Sequence, residues 1–357
     1  MARRRAYALV MTLEMALIGA GLGLVAGCGV NLGGAPAGTG IAARLGADFV
    51  DIDAVPPNLT QPVPAVGAAT GSYTWDCGRN ENGHRNTVNV VSAPGYPGPA
   101  HHVHDYVGNL STDVDSTIES LADGETSCRN GDLSTYFWPV LRLVDEEPAD
   151  GHDGPTGGHD GPTGGYDGLT DGHGGRIQVP SAFTLTYRGN PQGNVVPMPR
   201  LLRGTVGDAA AITNGGAQAR ATWTCDSTPD RRTTSYPVCP PGDRVVRIHD
   251  FPSCWDGRHL DTPDHRAHLV FPTVDGGCPK GTFPVPQLRL VAAYDLPTGK
   301  RFRIDAFDGQ RNSPLTDHAF FVNLMPDELM ARVVGCLNSG RTCVDEQSAA
   351  SGPALRS

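Results

Sequence analysis

Nine cysteines, at positions 28, 77, 128, 225, 239, 254, 278, 336 and 343, constrain this 357-residue chain more than any other feature. What they do depends on compartment, because disulfides persist only in oxidising surroundings. None of the last eight sits in a CxxC pair, so little supports a thiolate zinc site.

The N-terminus speaks to the compartment. Arg3, Arg4 and Arg5 precede a mostly apolar run from Ala6 to Val25, which ends in Val25-Ala26-Gly27-Cys28. A basic start, an apolar stretch and small residues at the cut make residues 1–27 a secretory signal. The Val-Ala-Gly-Cys sequence is similar to a bacterial lipobox, which implies cleavage before Cys28 and acylation of its thiol. Glu14 and several glycines interrupt the run and argue against a retained membrane span. The expected location is the extracellular face of the cell membrane, lipid-anchored, or secreted.

With Cys28 lipidated, eight cysteines remain, an even number that reads as four disulfides. Eight thiols allow on the order of a hundred pairings. Proximity in sequence suggests Cys225–Cys239, Cys254–Cys278 and Cys336–Cys343, which leaves Cys77–Cys128.

Charge narrows the partners. The chain has 28 basic and 38 acidic residues, and removing residues 1–27 takes away three arginines and Glu14, for a net charge of −12. Phosphate contacts supply most nucleic-acid affinity, so nucleic acid is not an expected partner. Neutral polymers, small molecules and metal cations are.

Residues 28–66, rich in Gly, Ala and Pro, read as a flexible tether, and 346–357 as a disordered tail. Between them, 67–345 form one domain. Within it, residues 151–174 repeat GHDGPTG, GHDGPTG, GYDGLTD and GHG, too poor in apolar residues to pack. They read as a disordered loop between two strands. His152, His159 and His173 can chelate cations loosely there, although a solvated loop without fixed ligands is the simpler reading.

The rest is β-rich. Val245–Ile248, Ala267–Phe271, Leu288–Val291 and Arg301–Phe307 read as strands between turn residues. With 46 Gly and 30 Pro, long helices are disfavoured. One helix stands out, Pro326 to about Asn338: Pro326 suits its first position, Asp327 and Glu328 suit its dipole, and Leu329, Val333 and Leu337 form one stripe. The expected fold is mostly β: a single sandwich or jelly-roll-like domain, disulfide-stapled, with a C-terminal helix.

Three polar clusters could carry chemistry. In Ala100-His101-His102-Val103-His104-Asp105-Tyr106-Val107-Gly108-Asn109, strand alternation puts His102 and His104 on one face, where they can share a metal ion. Asp105 either fixes an imidazole tautomer or points away. The second cluster, from Phe251 through Cys254, Trp255, Asp256, His259, Asp261, Asp264 and His265 to His268, suits a metal site or paired carboxylates acting on a glycosidic bond. Asp256-Gly257 and Thr262-Pro263-Asp264 also read as ordinary turns. In the third, Thr316 to Asn323, His318 either completes a three-histidine set or caps a strand end.

Together HHVHDYVGN, the segment Asp132-Leu133-Ser134-Thr135-Tyr136-Phe137-Trp138-Pro139-Val140-Leu141 after Cys128, FPSCWDG, LDTPDHRAHLVFP and CPKGTFPVPQL resemble the domain of unknown function nineteen-ninety-six family of secreted bacterial and fungal proteins. The resemblance spans roughly residues 70–345. It implies no activity, and some fungal members carry carbohydrate-binding modules. The polar positions matching it are His102, His104, Asp105, Asn109, Asp132, Asp256, Asp261, His265 and His268. Family members tend to have an aspartate two residues after a histidine near the C-terminus, where this chain has His318-Ala319-Phe320.

Three readings follow. As an enzyme on polysaccharide, the chain would hold one divalent transition metal through His102, His104 and His268 or His318. Asp256 or Asp261 would then act as ligand or general base, with Asp105, Asn109, Asp132, Trp255 and His265 supporting or binding. As a binding module for carbohydrate or another envelope polymer, it would offer Trp75, Trp138, Trp223 and Trp255 as stacking faces. As a structural protein, its polar motifs would satisfy one another.

Overall fold

The computed structural model describes residues 41–96, 102–144 and 173–345. The signal, Cys28, His101 and most of the repeat loop, with His152 and His159, lie outside the described residues, as does 346–357. No helix among the described residues is long and apolar enough to cross a membrane.

The protein is mostly β. One sheet has six strands in the order Trp223–Cys225, Val245–Asp250, Gln287–Tyr294, Ala182–Arg188, Ser72–Trp75 and Thr342–Val344. A second has five: Arg85–Asn86, His104–Gly108, Thr135–Pro139, His318–Val322 and Arg203–Gly207. Alternation puts every second side chain of each sheet toward the other. Tyr73, Trp75, Leu185, Tyr187, Leu288 and Leu290 of the first thus pack with Val107, Tyr136, Trp138, Val206, Ala319 and Phe321 of the second in one buried cluster. This is a sandwich arrangement. The opposite face of the five-stranded sheet is apolar as well: Tyr106, Phe137, Phe320 and Val322 are covered by Val90, Val91, Leu121 and Leu324.

The expected strands occur with shifted ends. Val245–Asp250 and Gln287–Tyr294 outrun their apolar stretches, whereas Arg301–Ile304 stops at the buried Asp305 and only Leu269–Val270 pairs within 267–271. The helix is Asp327–Asn338, with Pro326 as its cap rather than its first turn, and Leu329, Met330, Val333, Cys336 and Leu337 join the sandwich core.

All four disulfides pair as sequence proximity suggests: Cys77–Cys128, Cys225–Cys239, Cys254–Cys278 and Cys336–Cys343. Each closes a loop in the unfolded chain, typically contributing about 2–4 kcal/mol. Four such bonds mark an extracellular or secreted protein.

Part of the stretch expected as a tether lies against the domain. Phe49–Asp51 pairs in parallel with Tyr236–Val238, and Phe49 packs on Tyr236 and Phe302. Asn58 is tied to Asp230 and Arg232. Aromatic burial and backbone pairing outweigh the segment's Gly/Pro-rich composition.

Candidate metal centre

His104 and His318 sit on two strands that flank Thr135–Pro139. His104 is opposite Pro139, and continuing the Phe320–Phe137 register by two residues brings His318 opposite Pro139 from the other side. Both imidazoles therefore rise from the same face of the five-stranded sheet. The sequence secures this locally. Gly207, opposite His318, has φ +78, and any Cβ there would lie 2.0 Å from the Asp317 carbonyl oxygen.

His102 precedes its strand rather than belonging to it. Val103 holds it in place: its N–H donates to Asp305 Oδ2 at 3.1 Å, and its carbonyl accepts from Val140 N at 2.9 Å. The His102 ring lies 4.5 Å from that of His104 and 5.2 Å from that of His318, and His104 and His318 are 5.8 Å apart by centroid.

One ring nitrogen from each of the three lies within 4.8 Å of the others. His102 Nε2 and His318 Nε2 are 3.2 Å apart, close to the ~3.3 Å that separates two ligands on a tetrahedral ion with ~2.05 Å bonds. His318 Nδ1–H donates to the Thr316 carbonyl at 2.7 Å, which fixes the tautomer with its Nε2 lone pair available. Among the described residues, His104 finds no hydrogen-bond partner for either nitrogen although it is 1% exposed.

The walls are aromatic. Phe307 stands edge-on to His102, Phe137 to His104 and Phe320 to His318. Burial pushes His104 well below its ordinary pKa, with His318 and Arg247 adding to the effect. Burial also brings His318 down to about 4. Both are neutral at physiological pH, the form that binds metal. Three buried, convergent imidazoles suit a divalent transition metal such as zinc, copper, iron or nickel.

Behind the centre, Asp317 faces the other sheet, where Arg247 Nε and Nη2 and His249 Nε2 bond its carboxylate. Burial alone would raise Asp317, but Arg247 and His249 hold it well below the usual carboxylate range. Asp305 is gripped by Arg142 on the same level. Sequence reading singled out none of these four partners. The signal was present in Val245-Val246-Arg247-Ile248-His249-Asp250, where charged and apolar residues alternate in a strand buried along most of its length.

The other expected site residues are placed elsewhere. His268 Nε2 donates to the Arg203 carbonyl, and its Nδ1 accepts from Thr262 Oγ1. Arg203 pairs with Val322, four residues along the strand from His318, so His268 lies about 13 Å away along the sheet. Asp261 accepts from Arg203 Nη1, Thr262 N and His265 Nδ1. Asp256 closes a turn on Arg258 N, His259 N and His259 Nδ1. Trp255 Nε1 donates to the His259 carbonyl. The second cluster is a turn whose polar groups satisfy one another, and the structure does not bring Asp256, Asp261, His265 or His268 to the three histidines.

Asp105, one residue from His104, points to the opposite face and accepts from Asn80 and Arg85. Asp132 accepts from Trp75 Nε1, Ser134 and Tyr136 OH, and burial raises its pKa despite those donors. Asn109 ties Leu121, Leu133 and Ser111 together. These three are braces of the sandwich. Trp75, Trp138 and Trp223 are buried and present no stacking face.

No curated protein and no solved structure matches this chain. The family model described as a domain of unknown function, DUF1996, matches residues 90–317, which hold His102, His104 and the whole 255–268 turn and end one residue before His318. That match spans nearly two-thirds of the sequence, and the chain belongs to the DUF1996 family.

Proposed function

We propose that this chain is an exported cell-envelope lipoprotein that holds one divalent transition metal at His102, His104 and His318 and uses it to hydrolyse an envelope polysaccharide. The observation that carries the reading is His104. A buried polar group left without a partner costs about 1–3 kcal/mol, and a metal ion is the partner that the two neighbouring imidazoles are placed to share. Three protein ligands are the donor set of catalytic rather than structural zinc sites, which keep a fourth position for water or substrate. The metal would supply a nucleophilic water at neutral pH. The chain's own residues supply tautomer control at His318 through Thr316 and an apolar wall through Phe137, Phe307 and Phe320. No catalytic role passes to Asp256 or Asp261, whose carboxylates are engaged in their own turns.

The test is elemental mass spectrometry on the full chain purified without a histidine tag, beside His104→Ala and a variant lacking residues 151–172. One metal per chain, lost in His104→Ala and retained without the repeat, is the expected result. Absence of stoichiometric metal after reloading would overturn the centre. Metal without release of reducing ends from envelope polysaccharides would overturn the enzyme and leave a metal-stabilised module.

A further inference from the structure

A second recess, unrelated to the histidines by chemistry, opens where the strand Phe49–Asp51 meets a three-stranded sheet of Arg301–Ile304, Leu141–Val144 and Arg176–Gln178. It is open to solvent and is lined by Asp48, Phe49, Val144, Tyr236, Arg301, Phe302, Arg303, Arg311 and Asn312. Three of the nine side chains are guanidinium groups in a chain whose net charge is −10.

These arginines differ from the ion-paired arginines of the domain. Arg85, Arg142, Arg188, Arg203, Arg244, Arg247 and Arg289 each have a carboxylate within 4.0 Å. Among the described residues, Arg301, Arg303 and Arg311 have none, and Asp48, the one acid in the recess, pairs with none of them. Arg303 Nη2 donates to the His173 carbonyl at 3.0 Å, while its Nε is buried without a partner.

The frame beneath is rigid. Tyr236 OH donates to the Asn312 carbonyl at 2.6 Å and accepts from Ile304 N at 3.0 Å, and Asn312 Nδ2 donates to the Ile304 carbonyl. Those bonds hold Arg311 and Asn312 in consecutive left-handed conformations, φ 57 and 48, which non-glycine residues seldom adopt. The turn therefore fixes the direction in which the Arg311 side chain leaves the backbone.

We propose that this recess binds an oxyanion, the carboxylate or phosphate of an acidic polymer. Guanidinium forks match both groups in bidentate geometry, and three of them with one carboxylate leave an excess of two positive charges. Phe49 and Phe302 give the recess an apolar floor, on which the non-ionic part of a sugar or polyol unit can rest. The reading is independent of the metal centre, and its test needs no metal.

The experiment is calorimetric titration of the full chain with a uronic-acid oligomer and, separately, a glycerol-phosphate oligomer, at low and moderate salt. The Arg301→Gln/Arg303→Gln/Arg311→Gln variant is compared with Arg79→Gln, which changes a partly exposed arginine elsewhere. Thermal unfolding confirms that each variant is folded, and Arg303→Lys tests whether the fork or only the charge is needed. The expected result is saturable binding of at least one oligomer, weakened at least tenfold in the triple variant, unchanged in Arg79→Gln and reduced by salt. Binding of one oligomer only would identify the anion as carboxylate or phosphate. Equal binding by wild type and triple variant, or no binding by wild type, would overturn the proposal. Binding that appears only after Asp145→Asn/Glu146→Gln/Glu147→Gln would also overturn it, since the recess would then belong to the chain's own acidic segment.

Discussion

The three-histidine centre and the 255–268 turn have the same vocabulary in sequence, histidine and aspartate a few residues apart, and opposite physics in the fold. In the turn each carboxylate finds a backbone N–H or an imidazole within a few residues, and the groups stay partly exposed. At the centre His318 comes from more than 200 residues beyond His102 and His104, and the three buried imidazoles meet one another. Polar density marks a candidate; lack of local satisfaction under burial is what distinguishes a site from a well-made turn.

The comparison can be broken most forcefully behind the centre. Asp317→Ala leaves Arg247 buried and unpaired, and removing one partner of a buried pair costs about 3–5 kcal/mol. Urea unfolding should show the midpoint falling accordingly. A loss near that seen for an exposed residue would mean that the pair does not hold the sheets together.

A sharper contrast is expected with pH. In metal-free protein, His318 at about 4 and His104 well below its ordinary value take up protons more readily when unfolded. Their contribution is fully present above about pH 6.5, the unfolded value. It is lost as pH falls toward 4, by up to about 3 kcal/mol for His318 alone at ~1.4 kcal/mol per unit. Chemical unfolding at successive pH values checks this. His104→Leu should flatten part of the slope and, in metal-free protein, raise stability while abolishing metal uptake. A variant that loses stability instead would count against an unsatisfied imidazole.

The smallest effect belongs to the turn. Asp261→Asn weakens partly exposed contacts to Arg203 and His265, and such pairs are worth under about 1 kcal/mol. Metal content should not change. A lost metal in this variant would join the two regions that the structure separates.

Much of the build was legible beforehand. Disulfide partners followed from proximity because each loop is short or is the last one left, and the helix followed from Leu329, Val333 and Leu337. His102 and His104 were paired by strand alternation, even though His102 lies just outside the strand. The third ligand was not decidable between His268 and His318, because strand order, which is long-range information, places one beside Pro139 and the other at the far end of the sheet. Asp305 and Arg142 were invisible for a related reason: their roles come from contacts 163 residues apart in sequence.

The pairing of Phe49–Asp51 with Tyr236–Val238 sets a working distance. If a lipid on Cys28 holds the chain to a bilayer, the stretch from Cys28 to Ile41 can span at most about 45 Å, where a tether to residue 67 would reach about 135 Å. The body of the domain would then start within about 45 Å of the bilayer, roughly a third of the reach that a tether to residue 67 would allow.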